Sequence, residues 1–398
     1  MKGEIAIIGA GLHPFGFFRE KTCFEMAIYA IREAIKDAGI SPSEIDAIIT
    51  QPAFADPWHT SDMAWSRLVE TLGLGGKCKI NFLVNSGGST ASSALNIAVG
   101  LIKTGKAKVI LISHAEKLGT GMRSVQDVVD AFSSFGISQE FEAIYGYNQQ
   151  AISALIANRY LYETGTPVEA LAAVALSMRK WAALNPNALL RRVVTLEEIL
   201  QAKMIASPFT SRMCNLTCDG AESFIVTSAK EAERICEKPV YILGTSSIVT
   251  HYSLMNAPYF RGSETLWYPW SKVAKEAYEE AGIKPDDVDI AELYDAYPIL
   301  PLIQLEALDL VERGKAGKFV MEGNTWPGGP LPMTTNGGMI AAGHTGTGGG
   351  LGVLVEAIIQ LRGKAGERQV KDARIAAVTE VGGQYMDAHV MILGGEKP

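Results

Sequence analysis

Two distant segments of the chain show the same spacing of apolar and polar positions. Residues 33–46 (EAIKDAGISPSEID) and 276–289 (EAYEEAGIKPDDVD) each have the pattern of an amphipathic helix that ends at a glycine, Gly39 or Gly282. A proline follows each glycine at the same distance and prevents the helix from continuing. The apolar runs AIIT and IAEL come next and predict strands. The chain therefore contains two copies of a helix–turn–strand unit.

A second matched pair follows the first in the same order. Residues 86–105 and 345–363 each lead from a glycine-rich turn into an apolar helix that ends at a glycine, Gly105 or Gly363. Both helices precede a β-rich run, VILIS or IAAVTEV. Two unrelated α/β units could share these signals, but the matched order favours a duplication. A single repeat of this length predicts two similar halves rather than a solenoid.

The region between the halves has a different character. Residues 119–218 are rich in helical pattern and carry turns such as NPNA, so we expect a helical insertion that forms a lid over a cleft. The predicted organisation is an α/β fold with an N-terminal half at 1–118, completed by 219–240, the insertion at 119–218, and a C-terminal half at 241–398.

Composition excludes several classes of protein. The 398 residues carry a net charge of −7 without long runs of one sign, which disfavours a nucleic-acid binder. No apolar run is long enough to span a bilayer, and the N-terminus predicts a strand rather than a signal peptide, so we expect a cytoplasmic protein. Five scattered cysteines argue against a disulfide framework. Cys214 and Cys218 lack the further ligands of a zinc site, and we predict no metal.

One glycine pattern near the N-terminus imitates a dinucleotide-binding loop. Ile8-Gly9-Ala10-Gly11 follows an apolar run, as the first glycines of that fingerprint do. Pro14 lies where the helix should begin, and the third glycine is absent. We therefore expect no nucleotide cofactor here.

Four segments together resemble the active-site loops of the thiolase superfamily, over essentially the whole chain. They are VNSGGSTAS (84–92), similar to VNNNCSTGS; YDAY (294–297), similar to HDCF or NEAF; GHTGTGG (343–349), similar to GHPxGATG; and EVGGQ (380–384), similar to CxGGG. The nearest branches are sterol-carrier-protein-type thiolases and steroid side-chain aldolases. The resemblance implies a duplicated five-layer αβαβα fold, a homodimer, and acyl-CoA thioesters as substrates without a separate cofactor.

The first loop departs from the family at its central residue. Gly88 stands where the resemblance implies the nucleophilic cysteine, so covalent acyl transfer by the usual route is excluded, although the Gly88 N–H can still help to hold an oxyanion. Ser86, Ser89 or Thr90 could replace the nucleophile. Hydroxyl residues at a helix start are more often caps, and no local base is evident.

The other loops supply the remaining candidate site residues. His344 is expected to donate a hydrogen bond to the thioester oxygen or to move a proton. Tyr294 offers a phenol for acid/base work, or is an ordinary strand-end aromatic. Glu380 replaces the family's second cysteine as acid/base, or faces water at a strand end. The resemblance also implies that the Gly382 N–H is the second oxyanion donor and that Asn215 touches the pantetheine arm.

A thiolase fold without its cysteine suits one reaction best. Retro-aldol cleavage of a β-hydroxyacyl-CoA needs an acid/base pair and an oxyanion hole but no covalent intermediate. An acyltransferase with a replaced nucleophile and a non-catalytic acyl-CoA-binding subunit remain the alternatives. The steroid side-chain aldolases that the chain resembles bind a small subunit with an OB fold and a zinc ribbon, so such a partner is also expected.

Overall fold

The computed structural model describes residues 2–53, 55, 64–133, 140–249, 267–382, 385 and 387–397. Their strands are β1 (Ile5–Gly16), β2 (Ala47–Thr50), β3 (Ile80–Leu83), β4 (Val109–Lys117), β5 (Met204–Ala206), β6 (Phe209–Thr210), β7 (Asp219–Ser228), β8 (Val240–Val249), β9 (Ile290–Glu292), β10 (Ile375–Glu380) and β11 (Asp387–Gly394). Their α-helices are α1 (Cys23–Ala38), α2 (Ala64–Thr71), α3 (Thr90–Lys103), α4 (Val125–Ser133), α5 (Gln149–Thr164), α6 (Glu169–Leu184), α7 (Leu196–Leu200), α8 (Ala229–Ile235), α9 (Tyr268–Ala281), α10 (Ile299–Ala307), α11 (Ala316–Met321) and α12 (Gly349–Leu361).

The sheet repeats one topology on both sides of its centre. Nine strands of the described parts pair in the order β3-β2-β4-β7-β1-β8-β11-β10-β9, and antiparallel β1 and β8 join the halves. Strands β2 and β4 are parallel, as are β9 and β10. Strands β4, β7 and β1 pair antiparallel in succession, as do β10, β11 and β8. The second half thus follows the strand order of the first.

The predicted helix ends are confirmed in both halves. Helix α1 ends at Gly39 with φ 70°, and α9 ends at Gly282 with φ 66°, both left-handed. Each glycine N–H donates to a carbonyl of the last turn, that of Ile35 or Tyr278. A side chain is strained in this backbone region, which is why a glycine ends each helix.

The glycines that imitate a nucleotide loop serve helix packing. Strand β1 runs straight through them, so the strand–turn–helix of a dinucleotide site is absent from this part of the described chain. A Cβ on Gly9 would lie 2.7 Å from the Cβ of Ala38 in α1. Gly244 in β8 has the same role, since its Cβ would lie 2.9 Å from the N of Ala281 in α9. Both halves use glycine to bring an outer helix against the sheet.

Helices α3 and α12 form the middle of the molecule. They pack against each other, α3 contacts β4 and β7, and α12 contacts β9 and β10, while α1 and α9 cover strands of the two halves from outside. Helix, one half of the sheet, helix pair, the other half of the sheet and helix make the five layers expected from the sequence. The N-terminal ends of α3 and α12 meet, because a Cβ on Gly350 would overlap the carbonyl oxygen of Gly88.

The chain between β4 and β7 holds α4 to α7 and the β5–β6 hairpin. Helix α6 is the buried member, and its alanines allow close packing: a Cβ on Gly337 would lie 2.8 Å from the Cα of Ala182. Within the described residues, no helix combines the length and hydropathy needed to cross a membrane.

Candidate active site

The side-chain space at Gly88 is filled by Tyr294. Gly88 lies between β3 and α3, and Tyr294 follows β9, where its N–H donates to Thr379 Oγ1 at 3.0 Å. A Cβ on Gly88 would overlap the Tyr294 hydroxyl and the Val381 carbonyl and would lie 2.7 Å from Tyr294 Cε2. A side chain at position 88 and the phenol of Tyr294 therefore exclude each other.

The Tyr294 phenol is protonated at neutral pH and can donate a hydrogen bond. Its side chain is buried, and burial raises its pKa well above the usual value. Charges on Tyr385, Asp295, Glu380 and Asp387 raise the pKa further. The phenol lies against the start of α3, and a catalytic role for it stays a prediction beside the alternative of an ordinary strand-end aromatic.

His344 presents a neutral imidazole on a fixed backbone. Its N–H donates to the Leu216 carbonyl at 2.8 Å, and its carbonyl accepts from the Cys218 N–H at 3.1 Å. Neither ring nitrogen has a hydrogen-bond partner among the described residues. Burial, and secondarily His114, lower the pKa of His344 to about 4. Position 349 must be a glycine to accommodate the His344 ring, since a Cβ there would lie 2.8 Å from His344 Nε2.

Glu380 is an interior carboxyl at the end of β10. Its side chain is fully buried, so the alternative that it faces water is wrong. Oε2 accepts from the backbone N–H of Ser92 at 2.9 Å and from its hydroxyl at 2.8 Å, in the first turn of α3. Oε1 has no partner within the described chain. Burial raises the pKa of Glu380 to about 7, although Ser92 and His389 oppose the shift. The carboxyl is thus part ionised near neutral pH.

Gly382 differs from expectation in one respect. Its N–H, predicted to be an oxyanion donor, already donates to Asp387 Oδ1. Asp387 Oδ2 accepts from the Ser89 hydroxyl at 2.6 Å and lies 3.3 Å from His389 Nε2. Asp387 therefore ties the first loop to the fourth and occupies the N–H that a substrate oxygen would need. Residues 383 and 384 of the fourth motif lie outside the described residues.

The candidate replacement nucleophiles all donate hydrogen bonds within the protein. The Ser86 hydroxyl donates to Ser93 Oγ at 2.8 Å, and the Thr90 hydroxyl donates to the Gly87 carbonyl at 2.6 Å. Ser89 has the carboxylate partner that sequence reasoning missed, Asp387, but it is fully buried. Burial also raises the pKa of the Cys214 thiol to about 12. These groups are placed to hold loops together rather than to attack a thioester.

Asn215 is bound to the second loop. Its backbone N–H and its side-chain amide both donate to the carbonyl of Ala296, each at 3.2 Å. Contact with a pantetheine arm stays a prediction.

Two further polar residues near the site were not predicted. Asp387 begins the buried strand DAHVMILG, where a carboxylate among apolar residues was the available signal. Tyr385 lies in the fourth loop with φ 67°, and its hydroxyl is 2.6 Å from Ser153 Oγ in α5. A left-handed conformation is costly for tyrosine and often marks functional loops. Sequence reasoning stopped at the glycines of that motif.

These groups together define a class of enzyme. The phenol of Tyr294 lies against Gly88, the ring of His344 against Gly349 and the carboxyl of Glu380 against Gly350. All three groups are therefore next to the starts of α3 and α12, and helix N-termini stabilise negative charge. Within the described residues no cluster of His, Cys, Asp or Glu is arranged to hold a metal. The arrangement is suited to proton transfer beside a polarised carbonyl.

Comparisons with known proteins show the family to which the chain belongs. The family model for the thiolase N-terminal domain matches residues 5–197, and that for the thiolase C-terminal domain-like family matches residues 250–395. The chain is 30% identical to an acetyl-CoA acetyltransferase of Methanocaldococcus jannaschii, over 94% of this chain and 92% of the relative. It is 28% identical to the steroid side-chain-cleaving aldolase of Thermomonospora curvata, over 100% and 99% of the two chains. The chain belongs to the thiolase superfamily.

A solved structure extends the likeness to the whole fold. The chain matches the structure of an Ltp2-ChsH2(DUF35) aldolase with a TM-score of 0.85 and 28% identity, over 99% of this chain and 98% of that one. A 17-hydroxy-3-oxo-4-pregnene-20-carboxyl-CoA lyase of Mycobacterium tuberculosis is 29% identical over 91% of this chain and 92% of its own length. The relatives thus include enzymes named for acyl transfer and enzymes named as lyase or aldolase.

Proposed function

We propose that this chain cleaves the Cα–Cβ bond of a β-hydroxyacyl-CoA by a retro-aldol reaction, without a covalent enzyme intermediate. The observation that carries the proposal is the Tyr294 phenol in the space that a side chain at Gly88 would need. Relatives named as aldolase or lyase match nearly the whole chain. A β-ketoacyl substrate would require an attacking thiolate, whereas a β-hydroxyacyl substrate requires only proton transfer.

The electron flow assigns a separate task to each group. Glu380 removes the proton of the β-hydroxyl group, and the C–O bond becomes a carbonyl as the Cα–Cβ bond breaks. The bonding pair moves into the thioester as an enolate, and a ketone or aldehyde leaves. His344 donates a hydrogen bond to the enolate oxygen, and Tyr294 supplies the proton that Cα receives. The proton that Glu380 has taken up then passes to the Tyr294 phenolate, which restores both groups for the next turnover. Glu380, with a pKa of about 7, is part ionised at neutral pH and can accept a proton, whereas the raised pKa of Tyr294 keeps its phenol protonated.

The position of Asp387 supports a reaction without an acyl-enzyme. An acyl-cysteine passes through tetrahedral intermediates, which need N–H donors beside residue 88. Here the Gly382 N–H already donates to Asp387, and a carboxylate at that point disfavours a second negative charge. The absence of a side chain at Gly88 and the occupied Gly382 N–H both disfavour an acyl-enzyme. We therefore assign the stabilisation of the enolate to His344.

The proposed partners are an acyl-CoA, a second copy of the chain and an accessory subunit, with no cofactor beyond the CoA thioester. The similar aldolase structure is named with a second component, ChsH2(DUF35), and we extend such a subunit, with an OB fold and a zinc ribbon, to this chain. The insertion exposes large apolar side chains that a subunit could cover. They are Phe141, Ile144, Tyr145, Leu155 and Tyr162.

The test is turnover of β-hydroxyacyl-CoA and β-ketoacyl-CoA panels by the chain, alone and copurified with its partners. We expect carbonyl release from the hydroxyacyl panel. Tyr294→Phe should lower kcat roughly 10²–10⁴-fold and His344→Ala roughly 10²–10³-fold. Tyr278→Phe is the matched control, because it removes a buried hydroxyl that donates to the Leu308 carbonyl outside the site.

The pH profile tests the choice of base. Glu380 acts when ionised, so kcat should rise as pH increases through about 7, the pKa of this carboxyl. Glu380→Gln should be slow at every pH and should lose this rise. Iodoacetamide should have little effect on the wild-type chain. An acyl-cysteine trapped during turnover would return the protein to the acyltransferases, and absence of turnover with the accessory subunit present would favour a binding subunit.

A further inference from the structure

Two ionisable side chains lie directly behind the turn that carries His344. His114 on β4 and Glu222 on β7 are opposite each other in the antiparallel pair, so both point to the same face. Their side chains are buried, with exposed fractions of 2% and 0%. Neither belongs to the loops that define the candidate site. A buried polar pair of this kind needs a role, because burying polar groups is costly.

Both side chains hold the residue after His344. The Thr345 hydroxyl donates to Glu222 Oε1 at 3.2 Å, and His114 Nε2 lies 3.2 Å from the Thr345 carbonyl oxygen. A carbonyl can only accept, so His114 carries a hydrogen on Nε2. Burial lowers the pKa of His114 to about 4, so the ring is neutral and Nδ1 is a lone-pair acceptor.

The two atoms left over are complementary. Glu222 Oε2 and His114 Nδ1 both lack a hydrogen-bond partner among the described residues. Burial raises the pKa of Glu222 to about 8, so it is a carboxylic acid at neutral pH, and its other oxygen is already an acceptor. The acid hydrogen therefore belongs on Oε2. Directly paired strand residues have Cβ atoms about 4.5–5.5 Å apart, which brings the acid donor and the ring acceptor within reach of one bridging water molecule.

We propose that Glu222 and His114 form a buried hydrogen-bond relay that positions His344. Glu222 Oε2–H donates to His114 Nδ1 through one bridging water molecule, since the two atoms make no direct hydrogen bond, and His114 Nε2–H donates to the Thr345 carbonyl. The proposal rests on the proposed function, in which His344 binds the thioester oxygen. Both are positioning residues, since their contacts run to Thr345 and not to substrate.

The need for such a support follows from how His344 is held. Its ring has no hydrogen-bond partner in the described chain, so its direction depends on the backbone around it. The turn continues through Gly346, at φ 67°, to Gly348, where a Cβ would overlap the His114 ring. The turn thus rests directly on the imidazole of His114. Without the His114 ring, the turn at residues 345–348 would move into the vacated space. The imidazole of His344 would then change its orientation.

Paired substitutions test the relay by activity. Gln at position 114 keeps a donor and an acceptor, and Gln at 222 does the same, so His114→Gln and Glu222→Gln should stay within a few-fold of wild-type kcat. His114→Leu and Glu222→Leu should each lower kcat roughly 10–100-fold, the scale of a small misplacement, with KM nearly unchanged. The double Leu variant should be no slower than either single one. Gln variants as slow as the Leu variants, or additive losses, would overturn the proposal.

An activity-independent readout separates this proposal from the proposed function. The chain has 6 histidines, so ¹⁵N-histidine labelling with the His114→Gln spectrum identifies the His114 ring signals. We expect a neutral ring protonated on Nε2, with an Nδ1 shift typical of a hydrogen-bonded acceptor. That shift should persist in Glu222→Gln and disappear in Glu222→Leu. A ring protonated on Nδ1 rules out the relay whatever the activity. The expected spectrum in a protein that turns over no thioester leaves the relay standing and removes the proposed function.

Discussion

Residue 88 and residue 294 constrain each other more tightly than either loop motif suggests. A glycine at 88 is ordinarily explained by backbone freedom, but no left-handed φ is found there, unlike at neighbouring Gly87 with φ 66°. The reason is steric: the Tyr294 hydroxyl and the Val381 carbonyl fill the space. A glycine at 88 and a tyrosine at 294 are therefore one feature of the site rather than two.

We predict that Gly88→Cys does not create a thiolase. The new side chain must displace Tyr294 and a backbone carbonyl, at a cost of roughly 1–3 kcal/mol in the free energy of unfolding. Urea unfolding measures this cost, and mass spectrometry after incubation with acetyl-CoA should find no acetyl group on the introduced thiol.

The matched control lies in the helix that follows. Gly100 in α3 is exposed, and a Cβ there meets nothing within 4 Å. Gly100→Ala should leave stability unchanged or raise it by up to about 1 kcal/mol, because alanine is the better helix former. A Gly88→Cys protein as stable as wild type, or one that is acetylated at position 88, would contradict the steric account.

The residues that sequence could and could not predict differ in kind. His344 and Glu380 stand in glycine-dense motifs, so their chemistry could be predicted before their surroundings were known. Asp387 was not predicted, because its importance depends on contacts with Ser89 and Gly382 that only the folded chain brings together. The same holds for His114 and Glu222, which become a pair only through the register of β4 and β7.

At the scale of elements, local signals set the helix ends. Helix α1 begins with a complete capping box, in which Thr22 and Glu25 satisfy each other's backbone N–H groups, and it ends at Gly39. Such signals lie within a few residues, which explains why the helix end at Gly39 was predictable from the sequence. The pairing of β1 with β8 depends on residues far apart in sequence, and no local pattern indicated it.

Gly39 isolates the backbone contribution to a helix end. A Cβ at Gly39 would meet nothing within 4 Å, so any cost of Gly39→Ala comes from its φ of 70°. We expect Gly39→Ala to lower the free energy of unfolding by about 1–2 kcal/mol, the cost of a left-handed residue with a Cβ. Urea unfolding monitored by circular dichroism measures it.

Gly75 gives the corresponding control. Its surroundings are equally open, but its φ is not in the left-handed region, so Gly75→Ala should cost little. Gly39→Asn should fall between Gly39→Ala and wild type, because asparagine tolerates this conformation better. Equal effects of alanine at both positions would show that the helix end does not depend on backbone conformation.

At the scale of the molecule, one edge of the sheet is covered by the chain and the other is exposed. Strand β9 is covered, because the Ala291 N–H donates to the Pro332 carbonyl and the Ala291 carbonyl accepts from the Thr334 N–H. Strand β3 at the other edge pairs, among the described strands, on one side only, with β2, and exposes Phe82 by 41% and Leu83 by 38%. An apolar edge strand with unpaired backbone groups invites pairing with another chain.

We expect the second copy of the chain to bind at β3, which gives the proposed homodimer a location. A dimer of two-fold symmetry would place the two β3 strands against each other and would bury the same surface on both copies. Sedimentation velocity at micromolar concentration should show a dimer. The double variant Phe82→Lys with Leu83→Lys should be monomeric, because the lysines of both copies would meet at the symmetric contact and repel one another.

The control for this charge effect is Tyr162→Lys on α5, where the side chain is 85% exposed and far along the chain from the edge strand. It adds one lysine per copy and should leave the dimer intact. Circular dichroism must show that the double variant keeps its helical content, so that dissociation is not confused with unfolding. A wild-type chain that sediments as a monomer would rule out the homodimer. A double variant that stays dimeric would show that the second copy binds at another surface.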